Sequence, residues 1–156
     1  MGRIIAVANQ KGGVGKTTTA VNTAAALAAM RRRVLLVDLD PQGNATTGSG
    51  IDKQSLERST LEALMGEVPV SGCIQRAEQA GYDVLPANGD LTAAEVRLLE
   101  APLREKRLAL ALEPVRDAYQ YLLIDCPPSL NMLTLNALVA ADSVLVQLQT
   151  EYYALE

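Results

Sequence analysis

The chain reads Lys11-Gly12-Gly13-Val14-Gly15-Lys16-Thr17-Thr18 directly after an apolar segment, residues 4–8, and at the start of an alanine-rich segment. The apolar segment predicts a buried strand, and the alanine-rich segment predicts a helix from Lys16 to about Met30. The glycines let the backbone curl closely enough to turn its N–H groups toward an anion. The start of the helix adds free N–H groups and the positive end of its dipole. A loop of this kind predicts a phosphate-binding site.

The loop matches the general phosphate-loop pattern G-x-x-x-x-G-K-[ST] in its second half. Gly15, Lys16 and Thr17 fit the pattern, whereas Gln10 stands at the first glycine position and Lys11 is an additional lysine. In such a loop Lys16 reaches the β- and γ-phosphates of a nucleoside triphosphate, and the Thr17 hydroxyl binds Mg²⁺. The sequence therefore predicts a variant triphosphate-binding loop.

Two other interpretations of the loop are weaker. A glycine-rich turn without a ligand would leave Lys16, Thr17 and Thr18 unexplained. A dinucleotide-binding fingerprint would begin at Gly13 and would use Asp38 at the end of the next strand. However, its third glycine position holds Thr18, and a lysine at position 16 is not part of that fingerprint.

Carboxylates follow two further apolar segments. The segment 121–125 ends in Asp125, which fits the neighbouring strand that holds Mg²⁺ through water in phosphate-loop proteins. The segment 34–38 ends in Asp38, and Asp40 follows it. Close carboxylates repel each other unless a cation or a chemical task keeps them together. We therefore expect Mg²⁺ contact and positioning of an attacking water at this strand end, with turn capping by Asp40 as the alternative.

Strands alternate with helices along the chain, and several strands are apolar on both faces. This pattern predicts an α/β fold with a mostly parallel sheet flanked by helices, in one domain covering residues 1–156. After a loop to residue 50, the sequence predicts a helix at 59–65, capped by Ser59 and Glu62, and a strand at 82–85. A further helix is predicted from a Thr92/Glu95 capping box toward Leu112, with a bend near Pro102. The last predicted elements are a helix at 133–140 and a strand at 143–148.

Composition limits the chemistry. The chain has no histidine, so acid–base and Mg²⁺ chemistry depends on Asp and Glu. The formal net charge of −4 argues against a chain that is wholly a nucleic-acid-binding surface. The three arginines at 31–33 are interpreted as favourable charge at a helix end, with a nucleic-acid patch as the alternative. Cys73 and Cys126 are distant in sequence and are interpreted as reduced thiols in a cytoplasmic protein without a signal peptide or membrane span.

Three segments together resemble the ParA/Soj family of chromosome- and plasmid-partitioning ATPases, in the deviant Walker A P-loop group. These are residues 8–18, residues 35–44 (Leu-Leu-Val-Asp-Leu-Asp-Pro-Gln-Gly-Asn) and residues 123–130 (Leu-Ile-Asp-Cys-Pro-Pro-Ser-Leu). Residues 151–156 match a further family segment. The resemblance covers nearly the whole chain, and residues 38–44 are typical of the partitioning branch rather than of MinD or the nitrogenase iron protein.

The resemblance implies a protein that forms a dimer in the presence of ATP and Mg²⁺ and binds DNA without sequence preference. It also implies a cytoplasmic, nucleoid-associated location, no action at membranes, and a ParB-type partner that stimulates ATP hydrolysis. Lys11 would reach the phosphates of the partner subunit, and Gly12 would lie at the interface. Together with the motifs, the resemblance assigns nucleotide binding to eight consecutive residues: Lys11, Gly12, Gly13, Val14, Gly15, Lys16, Thr17 and Thr18. It assigns metal binding to Thr17, Asp38 and Asp125. It assigns catalytic roles to Lys11, Lys16 and Asp40.

The chain also departs from the family pattern. Family members usually continue past residue 156, so we expect a truncated domain whose last strands, adenine contacts and many DNA-contacting residues lie beyond it. Arg32, Thr23 and Gln147 stand where glycine, leucine and proline are frequent. Two alternatives stay open: a MinD-like positioning ATPase at a membrane, and a nucleotide-binding fragment without turnover. An iron-protein-like reductase is disfavoured because distant cysteines do not suit a shared cluster.

Overall fold

The computed structural model describes residues 1–9 and 14–147, and of residues 9, 14–18 and 147 it describes the backbone alone. Six strands form one sheet in the order β3-β4-β2-β5-β1-β6. The strands are β1 (Arg3–Asn9), β2 (Val34–Asp38), β3 (Gln75–Ala77), β4 (Tyr82–Leu85), β5 (Tyr121–Asp125) and β6 (Ser143–Gln147). Every neighbouring pair is parallel except β3 and β4. The predicted, mostly parallel sheet is confirmed.

The α-helices are α1 (Val14–Ala29), α2 (Asn44–Gly48), α3 (Thr60–Leu64), α4 (Ala94–Arg97), α5 (Arg107–Leu112) and α6 (Met132–Ala140). Short 3₁₀ turns lie between them, at Lys53–Ser55, Val70–Gly72, Gly89–Ala93, Leu98–Glu100, Arg104–Lys106 and Glu113–Ala118. Among the described residues, no helix has the length and apolarity needed to cross a bilayer.

Each face of the sheet has its own hydrophobic core, because successive strand residues point to opposite sides. On one face Val34 and Leu36 of β2 pack in a cluster with Ala20 and Ala24 of α1. The small alanines let α1 lie close to the sheet, as the sequence predicts. On the other face, β2 contributes to a larger cluster shared with α3, α4, α5 and α6. Burial on both faces explains why the strands are continuously apolar.

The structure differs from the sequence prediction in three places. Residues 44–48 form α2 rather than loop. The predicted helix 92–112 is interrupted, because the residue before a proline avoids helical geometry and Ala101 is extended before Pro102. Its start is capped by Asn88, whose side chain accepts from the Asp90 N–H, and not by the predicted Thr92/Glu95 box. The antiparallel edge strand β3 was not predicted, since three residues carry too little pattern.

Candidate functional site

The candidate site lies at the carboxyl ends of three adjacent parallel strands, β1, β5 and β2. Asp125 of β5 is in register with Val7 of β1 on one side and with Asp38 of β2 on the other. Strand β1 ends at Asn9 and helix α1 begins at Val14, five positions later, so the helix N-terminus lies at the same edge. The free N–H groups and dipole at this end of a helix favour an anion. The edge therefore combines an anion-favouring helix end with two carboxylates.

Most of the predicted loop lies outside what the structure describes. Lys11, Gly12 and Gly13 fall between residues 9 and 14, and for Val14 to Thr18 only the helical backbone is described. The structure thus places Lys16, Thr17 and Thr18 in the first turns of α1, directly after the strand, as the motif requires. Their contacts stay predictions.

Asp38 is fully buried and is held by three donors. The Thr46 N–H and hydroxyl both donate to Oδ2, at 2.9 Å and 2.7 Å. The Asp40 N–H donates to Oδ1 at 3.1 Å. Because Thr46 belongs to α2, Asp38 supplies from a neighbouring strand the acceptor that this helix N-terminus needs. This tertiary cap explains why residues 44–48 are helical although the sequence pattern predicts a loop.

The ionisation of Asp38 is strongly perturbed. Burial raises the pKa of Asp38 to about 7, and the carboxylate of Asp125 adds to the rise, while the hydrogen bonds from Thr46 and Asp40 oppose it. A nearby cation would favour the charged form and reverse this rise. Two buried carboxylates in register at one sheet edge therefore fit a divalent cation close to them.

Asp40 lies just beyond β2 and is only 6% exposed. Its Oδ1 accepts from the Gln42 N–H at 3.0 Å, and its carbonyl accepts from the Gly43 N–H at 2.9 Å. Asp40 therefore does shape the turn, as the alternative interpretation proposes. A carboxylate has several lone pairs, so the hydrogen bond within the turn is compatible with a catalytic role. That catalytic role of Asp40 stays a proposal.

The segment after β5 leads away from the same edge. The Cys126 N–H donates to the carbonyl of Val7 at 3.2 Å, which ties this exit to β1. A cavity lined by Ala8, residues 126–130, Thr134 and Val146 opens beside it. The side chain of Asn131 caps α6 by accepting from the Thr134 N–H at 3.1 Å. The proline-containing exit thus joins the site to the start of α6.

Two residues that organise the site have roles that the sequence pattern does not predict. Thr46 accepts from the Ala87 N–H at 2.9 Å while its hydroxyl donates to Asp38, so it joins the ends of β2 and β4. Glu95 of α4 accepts from the N–H groups of Met132 and Leu133, both at 3.2 Å, and so caps α6 from another element. Neither role has a local signal, because the bonded residues lie between 8 and 41 positions apart in the chain.

Comparison with known proteins agrees with this arrangement. A family model described as an AAA domain matches residues 2–156. The chromosome partitioning protein ParA of Myxococcus xanthus is 56% identical over 156 residues, which is 100% of this chain and 55% of that protein. The sporulation initiation inhibitor protein Soj of Bacillus subtilis is 53% identical, over 100% of this chain and 62% of that protein.

A solved structure is similar over the same range. It is a Mycobacterium smegmatis protein named cobyrinic acid a,c-diamide synthase, with a bound ATP analogue and magnesium. The TM-score is 0.94 at 49% identity, over 99% of this chain and 63% of that chain. The chain thus spans between 55% and 62% of the length of the two curated relatives. Because the family model matches residues 2–156, the chain belongs to this AAA-domain family, and over its whole length it is similar to the partitioning proteins ParA and Soj.

Proposed function

We propose that the chain is the nucleotide-binding part of a partitioning ATPase that binds ATP with Mg²⁺ and hydrolyses it to ADP and phosphate. The observation that carries the proposal is the meeting of Asp38, Asp40 and Asp125 at the carboxyl edge of β1, β2 and β5, next to the start of α1. Ligands of open α/β sheets bind at this edge. The structures of the similar M. smegmatis protein hold an ATP analogue or ADP, with magnesium.

Each predicted residue has a proposed role. The backbone of residues 12–15 and the side chains of Lys16 and Thr18 hold the phosphates. Thr17, Asp38 and Asp125 would hold Mg²⁺. Mg²⁺ supplies charge stabilisation for phosphoryl transfer when it is bound. Asp40 orients the attacking water, because it lies at the same edge and is anchored by its own turn.

Lys11 and Gly12 are proposed to act between subunits. Two chains enclose the nucleotides, Lys11 of each chain reaches the phosphates of the other, and Gly12 allows their close approach. A ParB-type protein then stimulates hydrolysis, and the dimer binds DNA without sequence preference on the nucleoid in the cytoplasm. Support for these steps comes from the family and from the additional lysine beside the loop.

The two lysines are separated by one experiment. Lys16→Ala should abolish ATP binding, because it removes the cation that meets the β- and γ-phosphates. Lys11→Ala should retain ATP binding but lose ATP-dependent dimerisation and turnover. Nucleotide titration and sedimentation measure both properties, with Lys106→Ala at an exposed site as the control. Equal loss of ATP binding in both loop variants would contradict a role for Lys11 between subunits.

Asp40 allows a sharper test of the catalytic step. Asp40→Asn keeps an oxygen that accepts from the Gln42 N–H, so the turn is preserved while the charge is lost. We expect Asp40→Asn to bind Mg-ATP normally and to lose hydrolysis by roughly 10²-fold or more, as for removal of a general base. Phosphate release at the parental rate by Asp40→Asn would refute the assigned role.

The solved neighbour favours a second candidate, an amide-forming use of ATP. Such a synthase needs an acid substrate and a nitrogen donor for turnover, whereas an ATPase needs water alone. Phosphate release with Mg-ATP as sole substrate would favour the ATPase. Co-sedimentation with lipid vesicles would indicate an ATPase that acts at a membrane, whereas co-sedimentation with DNA would indicate one that partitions DNA. Nucleotide binding without phosphate release would indicate a nucleotide-binding module without turnover.

A further inference from the structure

We propose that an arginine-lined cavity at the amino edge of the sheet is a second binding site, for a phosphate-bearing anion. The cavity, here called the arginine pocket, has a volume of about 400 Å³. It is lined by Arg31, Arg32, Arg33, Arg76, Asp83 and Tyr119 together with small residues. It lies where α1 ends and β2 begins, so the five residues of β2 separate it from the nucleotide edge by roughly 13 Å.

The tertiary structure creates this concentration of positive charge. Arg31, Arg32 and Arg33 are consecutive, but Arg76 comes from the edge strand β3, which the sequence pattern does not predict. Four arginines therefore line one cavity in a chain whose formal net charge is −4. Asp83 is the one carboxylate among the lining residues. The pocket has an excess of three positive charges, four from arginine less one from aspartate.

Two of the four arginines have structural tasks. Arg33 donates from Nε to the carbonyl of Ala118 at 3.1 Å. Arg76 pairs with Asp83 across the β3–β4 ladder at 3.2 Å, and Asp83 also accepts from the Tyr119 hydroxyl at 2.7 Å. These contacts fix one wall of the pocket, and the carboxylate of Asp83 is already bonded to Arg76 and Tyr119.

The other two arginines are available to a ligand. Within the described part of the chain, the guanidinium groups of Arg31 and Arg32 have neither a hydrogen bond nor an ion pair, and both residues are exposed. Arg31 also adopts a left-handed backbone, with φ of 62°. The Arg31 and Arg32 N–H groups donate to the carbonyls of Ala28 and Leu27, which is the helix ending in which glycine usually occupies this left-handed position. One of the arginines that line the pocket is thus held in a conformationally costly backbone geometry.

The charge and geometry favour phosphate over other anions. The planar guanidinium fork matches the spacing of phosphate oxygens and binds them in pairs. An excess of three positive charges is better balanced by an anion of two or more charges than by a single carboxylate. The cavity has room for a free polyphosphate or for a stretch of nucleic-acid backbone, and both present the same phosphate oxygens.

The test follows the arginine Nε–H resonances of the chain by NMR in the Lys16→Ala background, so that the nucleotide loop does not compete for phosphate. Pyrophosphate is one probe, and a short DNA duplex is the other. The variant is Arg31→Ala/Arg32→Ala, and the control is Arg97→Ala/Arg104→Ala, two exposed arginines on another surface. We expect the Arg31 and Arg32 signals to shift on binding, and the affinity to fall about tenfold or more in the variant but not in the control.

The two probes identify the source of the phosphate. Arginine-dependent binding of pyrophosphate without duplex binding indicates a free phosphate ligand. Arginine-dependent binding of the duplex at lower concentration than pyrophosphate indicates nucleic-acid backbone. The proposal is overturned if neither probe shifts the Arg31 and Arg32 signals, or if the Arg31→Ala/Arg32→Ala variant binds both probes as well as the control does. Neither of these overturning results would bear on ATP hydrolysis at the other edge.

Discussion

Replacing Thr46 by valine tests whether a single buried hydroxyl holds the candidate site together. Valine has nearly the shape of threonine, so Thr46→Val removes hydrogen bonds without opening a cavity. The Thr46 side chain is fully buried, donates to Asp38 at 2.7 Å and accepts from the Ala87 N–H at 2.9 Å. Both bonds disappear in the variant, and the Ala87 N–H stays buried without its partner.

The magnitude follows from these two contacts. A buried N–H left unsatisfied costs about 1–3 kcal/mol, and loss of a hydrogen bond to a charged group costs about 1.5–3 kcal/mol. We therefore expect Thr46→Val to lower the free energy of unfolding by about 3–5 kcal/mol near pH 8. The lost donor favours the ionised form of Asp38, so the effect should shrink by about 1–2 kcal/mol near pH 5, where Asp38 is protonated.

Urea unfolding followed by circular dichroism measures the effect, because the chain has no tryptophan to report by fluorescence. Thr47→Val is the matched control, since Thr47 is the next residue of α2 and is exposed. Its effect should stay within about 0.5 kcal/mol. Unfolding of Thr46→Val and Thr47→Val at the same urea concentration, or a Thr46→Val effect that is larger near pH 5 than near pH 8, would show that the buried hydroxyl does not stabilise the site through Asp38.

Three further predictions concern the same part of the fold. Burial raises the pKa of Asp38 from 3.8 to about 7, so the folded state binds the proton more tightly than the unfolded state does. In urea unfolding of the nucleotide-free chain, this contribution to stability should be full below about pH 4 and should fall by up to about 4 kcal/mol as the pH rises through 7. A rise in stability over this range would contradict the prediction. Gly43→Ala should cost well over the roughly 1–2 kcal/mol of a left-handed residue, because its φ is 66° and a Cβ would lie 2.7 Å from the Ala87 carbonyl oxygen. Gly50→Ala, with a φ of 81° and open space around it, should cost only that conformational term in thermal unfolding. Glu95→Gln should destabilise α6 by about 1 kcal/mol, since an anion at its N-terminus is lost, whereas Glu100→Gln at an exposed site should leave hydrogen exchange of the α6 amides unchanged.

The sequence was sufficient for the central part of the fold. Strands β1, β2 and β5 are continuously apolar, and this pattern alone predicts strands buried on both faces and therefore parallel pairing. It also predicts Asp38 and Asp125 at one edge, which the register confirms. The capping box at Ser59 and Glu62 was predictable too, because both partners lie within one turn of chain.

What the sequence could not predict depends on contacts between distant residues. Helix α2 has a glycine at its N-cap, and the acceptor for an N–H of its first turn is Asp38, at the end of strand β2. Glu95 suggested a local capping box, yet its carboxylate caps α6, more than 30 residues away in the chain. The arginine pocket likewise requires β3 to bring Arg76 beside residues 31–33. Periodicity and local motifs carry no information on such pairings.

Calorimetric titration with Mg-ATP, compared between the parent chain and Lys16→Ala, tests whether the loop after β1 binds a triphosphate. If the loop after β1 grips the triphosphate, the parent binds one ATP per chain, binding weakens when Mg²⁺ is removed, and Lys16→Ala shows no detectable heat. A parent that does not bind Mg-ATP, or a Lys16→Ala variant that binds it as tightly as the parent, would contradict a triphosphate site in this loop.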